Sequence, residues 1–397
     1  MNKFYYQPEY YTRFRCTGGE CPQSCCDDWN VFWSGRELDY LRSADMSEEL
    51  RKSIDENMKE APVENDPDRY IVKLCDDGRC PFHNRETDLC DIQKEIGSKY
   101  FGRTCSLYPR RFYRVTPDLI IRSCTSSCPE VVRFLTEDKN AVKCSTVVAR
   151  DFSDSIKVSS GLTPALIKEQ PYLSAYLEIV KLYNTIFTVI EDLAGAVVFG
   201  AFCASQITGL GKNGDSIKLL VPELEKMASD PKAANLAKTV KPDHELKLSL
   251  LGSQISFLNR SSPLKKRLDI SPLCENDKIV TERYLEGMES FRAAVKDHDT
   301  AMRNIAFNIF LDTFGLKSLK SFSMFEYYSY FAMCVTSVQL AAAVSGYDGG
   351  DVEKKFIVNA AAMNRGISHN NTVAETIIKI LKEADFKSHI EIGLLIN

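Results

Sequence analysis

The sequence predicts an α+β chain that is mostly α: a cysteine-rich N-terminal domain, residues 1–156, followed by an α-helical domain, residues 165–397. Three observations carry this. Eleven of the fourteen cysteines crowd between Cys16 and Cys144. Long stretches with apolar residues at helical spacing fill the second part of the chain. Between the two, KVSSGLTP (157–164) is rich in the small and turn-forming residues of a linker.

In the first domain one helix is marked at its start. Ser34 occupies an N-cap position and Glu37, three residues on, completes the capping-box spacing ahead of LDYLRSA. A second, charged helix is expected from Ser47 through SEELRKSIDENMKEA. After the Pro- and Asp-rich PVENDPD, the segments RYIVKLC and FYRVTPDLIIRSC alternate polar with apolar residues and read as short strands. In the second domain, 172–209 reads as one or two long apolar helices. The stretch 216–239 is amphipathic, with Leu219, Leu220, Leu224 and Met227 at helical spacing. Long helices are expected within 282–314 and 322–344, and 372–384 places Thr376, Ile377, Ile380 and Leu381 on one face.

Composition excludes several function classes. A formal net charge of −4 gives no electrostatic case for a nucleic-acid partner. The opening MNKFYYQPEYYTRFRC has neither an apolar run nor a small-residue cleavage site, so no signal peptide is expected and the location is read as cytoplasmic. The longest apolar stretch, 193–205, falls short of the roughly 20 residues a bilayer span needs, so no membrane partner is expected. Gly209, Gly211 and Gly214 follow a helical segment instead of a strand, which removes the dinucleotide-type turn: the fold is not Rossmann. Nor do strands and helices alternate as a TIM-type barrel requires.

Clustered thiols in a reducing compartment read as metal ligands more readily than as a disulfide frame. They fall into three groups: Cys21-x3-Cys25-Cys26, Cys80-Pro-Phe-His83 with Cys90-Asp-Ile, and Arg103-Thr-Cys105 with Cys124-x3-Cys128-Pro. The candidate metal ligands are therefore Cys21, Cys25, Cys26, Cys80, Cys90, Cys105, Cys124 and Cys128, and the first domain is read as metal-binding. Thiolates select zinc, copper(I) or iron in sulfide clusters. Zinc knuckles favour C-x2-C pairs, which are missing here, and iron–sulfur clusters accept four cysteines from varied patterns. Spacing alone leaves zinc and a cluster equally open, with purely structural thiols a third reading. The C-x3-C-x2-C pattern of radical S-adenosylmethionine enzymes is broken, because Asp28 stands in the third place. Cys203, Cys274 and Cys334 sit in apolar contexts typical of buried structural thiols. Arg103, Arg110, Arg111, Arg114 and Arg122 flank Cys105 and Cys124 and would offset the negative charge of a thiolate cluster. Ordinary surface charge is the plain alternative.

Taken in order, C-x3-C-C (Cys21, Cys25, Cys26), C-P-F (Cys80 to Phe82), C-x-I (Cys90, Ile92) and R-x-C-x-x-Y-P (Arg103 to Pro109) resemble the cysteine-cluster proteins described as zinc- or iron-chelating. Gln93, Thr104 and Tyr108 are mild departures from that pattern. With the added Ser123-Cys124-x3-Cys128-Pro129 element and the helical second part, the whole chain resembles more closely the flagellin lysine N-methylase family of motile enteric bacteria. That resemblance implies transfer of methyl groups from S-adenosylmethionine to the ε-amino groups of surface lysines of flagellin, the protein partner. It also implies a [4Fe–4S] cluster, and so tips the choice of metal from zinc toward iron. The alternative function is a non-catalytic zinc- or iron-binding module with a helical partner-binding domain.

Lysine methylation sets its own demands. The amine must be neutral to attack a methyl sulfonium, yet its free pKa is about 10.4, so the site must desolvate it or supply a base. Asp28, Tyr108 and His83, near the cysteines, are the catalytic candidates. A sulfonium is a cation and aromatic faces stabilise cations; Trp29, with Arg103, Arg110 and Arg111, forms the cofactor-binding set. Each competes with an ordinary packing or solvated role, and for His83 with metal ligation or a satisfied structural imidazole.

Overall fold

The first strand, β1 (Phe4–Pro8), runs parallel to a strand more than a hundred residues later, with Tyr5 opposite Ile120, and antiparallel to another, with Tyr5 opposite Val147. These pairings tie the start of the chain to strands beyond the cysteine-rich stretch, which is thereby an insertion. The computed structural model describes residues 3–28, 30–64, 66–150, 160–211, 213–261, 264–314, 322–368 and 372–397. It divides into two units, Arg15–Arg110 and Met1–Phe14 with Arg111–Asn397. The linker expected at 157–164 falls partly outside the described residues.

After α1 (Tyr10–Arg13), the inserted unit contains β2 (Phe32–Ser34), α2 (Gly35–Arg42), α3 (Glu48–Asn57), β3 (Met58–Glu60), β4 (Arg69–Val72), α4 (Asp91–Ile96) and α5 (Arg103–Leu107). Ser34 and Glu37 form the expected capping box, and the Ser47 hydroxyl accepts from Leu50 N–H at the start of α3. That helix stops before the expected MKEA. Met58–Glu60 instead pairs antiparallel with β4, so sheet pairing overrides the helical preference of the sequence. The resulting sheet, ordered β2-β4-β3, packs with α2, α3 and α4 around Val31, Trp33, Leu38, Leu41, Ile54 and Val72.

The larger unit resumes at Arg111, within β5 (Arg110–Thr116), and continues with β6 (Leu119–Cys124), α6 (Pro129–Glu137), β7 (Cys144–Val148) and β8 (Ser160–Gly161), its strands forming a mixed sheet ordered β7-β1-β6-β5-β8. Helices follow: α7 (Pro164–Glu169), α8 (Tyr176–Val189), α9 (Leu193–Gly209), α10 (Gly214–Ala228), α11 (Pro231–Asn235) and α12 (His244–Ser261). A short hairpin, β9 (Cys274–Glu275) and β10 (Lys278–Ile279), precedes α13 (Thr281–Ala294), α14 (His298–Thr313), α15 (Met324–Tyr347), α16 (Val352–Ser368), α17 (Val373–Glu383) and α18 (His389–Ile396). Helix dominates, and no barrel forms among the described residues.

The core of this unit is built around α15. It is longer than the 193–205 stretch singled out from sequence, and apolar enough by length and composition to cross a membrane. Its apolar window is nevertheless wholly buried inside the fold, with α9, α13, α14, α16, α17 and α18 around it. Gly287 of α13 and Gly346 of α15 let those two backbones meet. A Cβ on Gly346 would run into the Gly287 carbonyl, and one on Gly287 into that of Ala343. In α10 the buried stripe is Ile217, Val221, Leu224 and Ala228, whereas Leu219 and Met227 are exposed. The buried face is thus rotated from the one expected: it is chosen by the neighbours α10 packs against, α8 among them, and Leu219 lies off it.

The Ser123-to-Pro129 element lies in this unit, between β6 and α6, and is pinned to α14 by buried polar groups. Asn308 Nδ2 donates to the Cys124 carbonyl (2.8 Å) and to Ser126 Oγ (2.7 Å). The Tyr10 hydroxyl donates to Asn308 Oδ1 (2.6 Å) and accepts from Cys124 N–H (2.8 Å). Asp312 accepts from Ser126 N–H (3.2 Å) and Ser123 Oγ (3.5 Å), while Arg111 donates to its backbone carbonyl (3.4 Å).

Burial pushes the Asp312 carboxyl up to about 6, although Arg111 and the hydrogen bonds from Thr125, Ser126 and Ser123 pull it back. A carboxyl whose folded pKa exceeds its unfolded value of 3.8 binds its proton more tightly when folded. Its stabilising contribution is therefore complete below about pH 4 and is lost as pH rises through about 6. Asp312→Asn should remove this dependence. The thermal midpoint of the variant relative to wild type should rise from pH 4 to pH 7 and then level off.

Candidate metal centre

Eight of the fourteen cysteines belong to the inserted unit: Cys16, Cys21, Cys25, Cys26, Cys75, Cys80, Cys90 and Cys105. Their positions follow from where the apolar residues beside them are buried. Phe82 and Ile92, each two residues beyond a cysteine, are in the unit's core, and Cys80 and Cys90 pack against its margin. The backbone completes the frame. Cys80 N–H donates to the Cys26 carbonyl (2.8 Å), Asp91 N–H to that of Phe82 (2.8 Å), and Cys75 N–H to that of Arg79 (2.8 Å). Asp27 bridges Arg79, and His83 bridges Cys90. These contacts stack the Cys21–Cys26 segment, the Cys75–Cys80 turn and the Cys90 turn on one another.

Cys105 arrives by a separate route. It sits on α5, whose N-cap is Gly102. Gly102 faces the Trp33 indole so closely that a Cβ there would overlap the ring. Thr104 Oγ1 adds a bond to the Phe32 carbonyl (3.4 Å), so α5 is laid onto β2 and Cys105 is brought to the other thiols.

The thiols feel one another. Cys26 is pushed well above its ordinary value by its hydrogen bond with Cys25 and by burial, with Cys80 and Cys90 adding to the effect. Cys80 is pushed up to about 12, chiefly by burial and then by Cys90, Cys75 and Cys25. Cys90 and Cys21 are also raised, mainly by burial, with Cys25 acting on both. Cys105 is within electrostatic reach of Cys80, Cys90 and Cys25. Six of the eight expected ligands therefore gather here: Cys21, Cys25, Cys26, Cys80, Cys90 and Cys105. Cys75 and Cys16 join them, and the C-x4-C spacing of Cys75 and Cys80 was the available sequence signal for the first. Cys124 and Cys128 belong to the larger unit, buried in the element that Tyr10 and Asn308 hold. Among the described residues, no three His, Cys, Asp or Glu side chains already stand as a ready metal-ion site.

The donor set fits a thiolate-bound group. Soft thiols crowd a loop-rich frame, and buried polar atoms on the segments that carry them lack hydrogen-bond partners: both ring nitrogens of His83, and Gln23 Oε1 between Cys21 and Cys25. Buried polar atoms are ordinarily paired, so unpartnered ones on the thiol-bearing turns suit a place shaped around a bound group.

The other candidates are dispersed. Asp28 is half-buried with a left-handed backbone (φ 55°), its N–H donating to the Gly78 carbonyl (2.8 Å). Tyr108 is half-buried at the end of α5, and Arg103 is exposed at its start. Arg110 opens β5, and Arg111 is the residue bonded to Asp312. Trp29 lies outside the described residues. Of the further arginines, Arg122 donates to Gln7 Oε1 and lies 3.6 Å above the Tyr5 ring, and Arg114 donates to the Pro117 carbonyl (3.4 Å). Asp312 and Asn308 carried no sequence signal. Each sits within an apolar helix, and only the fold shows what it faces.

Gly102→Val should force α5 off the Trp33 indole. The expected results are a lower thermal midpoint, by the order of 1–3 kcal/mol of overpacking, and faster alkylation of Cys105 than in the unaltered chain.

Residues 195–392 match the family model of the FliB lysine N-methylase C-terminal domain. The chain is 25% identical to a lysine-N-methylase of Salmonella typhimurium over 66% of its own length and 62% of that relative's. It is 24% identical to a lysine-N-methylase of Salmonella choleraesuis, over 76% of this chain and 75% of the other. It is 28% identical to the flagellar biosynthetic protein FliU of Salmonella muenchen, over 34% of this chain and 79% of the other. The match thus spans less than two thirds of the first of these relatives. No solved structure matches the chain.

Proposed function

We propose that the chain is a lysine N-methylase of the FliB type that transfers methyl groups from S-adenosylmethionine to ε-amino groups of surface lysines of flagellin, with a [4Fe–4S] cluster held by the inserted unit. The observation that carries the reading is the pairing of a family-matched helical region with a separate stretch where thiols from four distant turns gather. The names of the relatives support the methyl transfer and the flagellar link. The chemistry of the thiols supports the metal.

Four ligands drawn from the set around Cys21, Cys25, Cys26, Cys80, Cys90 and Cys105 would hold the cluster. Bound, it supplies a redox-active or Lewis-acidic centre whose charge the neighbouring side chains tune. The transfer itself asks the chain for a dry, oriented site. The lysine nitrogen forms the new bond to carbon, the carbon–sulfur bond breaks with its electron pair going to sulfur, and the ammonium proton leaves to a base. At neutral pH an unperturbed lysine has only about one amine in a few thousand deprotonated, so the substrate pocket must favour the neutral form.

Anaerobically purified protein, S-adenosylmethionine and unmodified flagellin should yield flagellin peptides heavier by whole methyl groups on lysine, read by mass spectrometry. Flagellin left unmodified by metal-loaded protein would remove the proposal. Serine at Cys80, Cys90 or Cys105 should abolish both bound iron with its visible absorption and methyl transfer. Serine at Cys203 or Cys334, buried in the helical core, should leave the iron in place.

A further inference from the structure

His83 is the odd donor among the thiols. Its side chain is 5% exposed, and both ring nitrogens are buried with no hydrogen-bond partner. A neutral imidazole has one donor and one acceptor, and burying both unpaired is costly. The backbone fixes where the ring goes. His83 N–H donates to the Cys80 carbonyl (3.0 Å), and the residue lies across an antiparallel bridge from Cys90. Directly opposed residues on antiparallel backbone project to one face, with Cβ atoms about 4.5–5.5 Å apart. The imidazole therefore projects to the same face as the Cys90 side chain, whose thiol acts electrostatically on Cys26 and Cys105.

Nε2 stands 3.5 Å from Asp88 Oδ1, within ion-pair distance but without a hydrogen bond. Asp88 occupies the left-handed region (φ 51°), which Asp tolerates, in a turn closed by the Asn84 N–H bond to the Leu89 carbonyl (2.9 Å). Asn84 Oδ1 accepts from Glu86 and Thr87 N–H groups and fixes the same turn. In metal-ligating histidines the ring nitrogen away from the metal commonly faces a carboxylate, which sets the tautomer, and Asp88 is placed on the Nε2 side of this ring.

We propose that His83 is a ligand of the metal centre through Nδ1, oriented by Asp88, so that the centre is held by cysteine and histidine together. The inference rests on the metal centre of the proposed function and adds to it. A neutral imidazole in place of a thiolate removes one negative charge and raises the reduction potential of the centre.

X-ray absorption at the edge of whichever metal the anaerobically purified chain carries, set against His83→Cys, tests this. Wild type should show a nitrogen neighbour at about 2.0–2.2 Å among the sulfurs, and the variant sulfur alone. With iron bound, pulsed electron paramagnetic resonance of the reduced protein should show a histidine nitrogen coupling that the variant lacks. An all-sulfur shell in wild type, or a nitrogen that persists in His83→Cys, overturns the inference and leaves the metal centre standing. Zinc in place of iron overturns the cluster reading, while the zinc edge still decides the ligand. A chain that retains no metal overturns both. If His83→Cys does not fold, Asp88→Asn, at an exposed position, serves instead: metal retention against a chelator should weaken about 10–100-fold, and unchanged retention overturns the inference.

Discussion

Burial of Trp33, Phe82 and Ile92 in one small apolar core is what keeps the thiols together. The loops that carry them have little regular structure of their own, and free loops would scatter their ends. Each is pinned instead by an apolar side chain close in sequence to a cysteine, so the entropy of ordering the loop is offset by area removed from water. The same device works three times: Phe82 beside Cys80, Ile92 beside Cys90, and the Gly102–Trp33 contact that seats α5 under Cys105. A unit this small gains limited stability from its core, and metal binding adds directly to folding free energy in such units. That is the physical sense in which a loop-rich frame and a thiolate centre belong together.

The larger unit solves a different problem. Its central helix, α15, is covered on all sides, and its backbone approaches α13 closely enough that only glycine fits at the crossing. In such an interior a polar group is costly unless satisfied. Tyr10, Asn308 and Asp312 are satisfied through the Ser123–Cys128 element, and they fix the register of that element against α14. A network of this kind holds one arrangement because any shift would leave several buried groups unpaired at once.

The family match falls on 195–392, which contains Cys203, Cys274 and Cys334, while the gathered thiols all lie between Cys16 and Cys105. The family-matched helical region and the thiol-rich region are thus separate stretches of chain. Cys124 and Cys128, joined to the metal set by their spacing, stand in the buried polar element of the larger unit. Spacing measures distance along the chain, and a cysteine just before a helix, as Cys128 is before α6, looks alike whether it faces a metal or a helix.

Much was legible from residues alone. The capping box at Ser34 and Glu37 is a local bond between near neighbours, and the structure forms it as read. The strands around RYIVKLC and LIIRSC, and the long helices of the second part, follow from periodicity, which reports burial on one face. The thiol-rich stretch announced itself by composition. What the tertiary structure decided is everything that depends on partners far along the chain. Met58–Glu60 became a strand because β4 was there to pair with it. Leu219 lost its place in the core to Val221 because the face of α10 is chosen by what it packs against. The unit boundaries at Phe14 and Arg110 were invisible because β1 pairs with strands that come after the insertion. The amino-acid sequence on its own showed that most of the cysteines of this chain lie ahead of a helical region. Which of them meet, and that an unpaired imidazole stands beside them, was left to long-range packing, since local preference is blind to contacts across many turns.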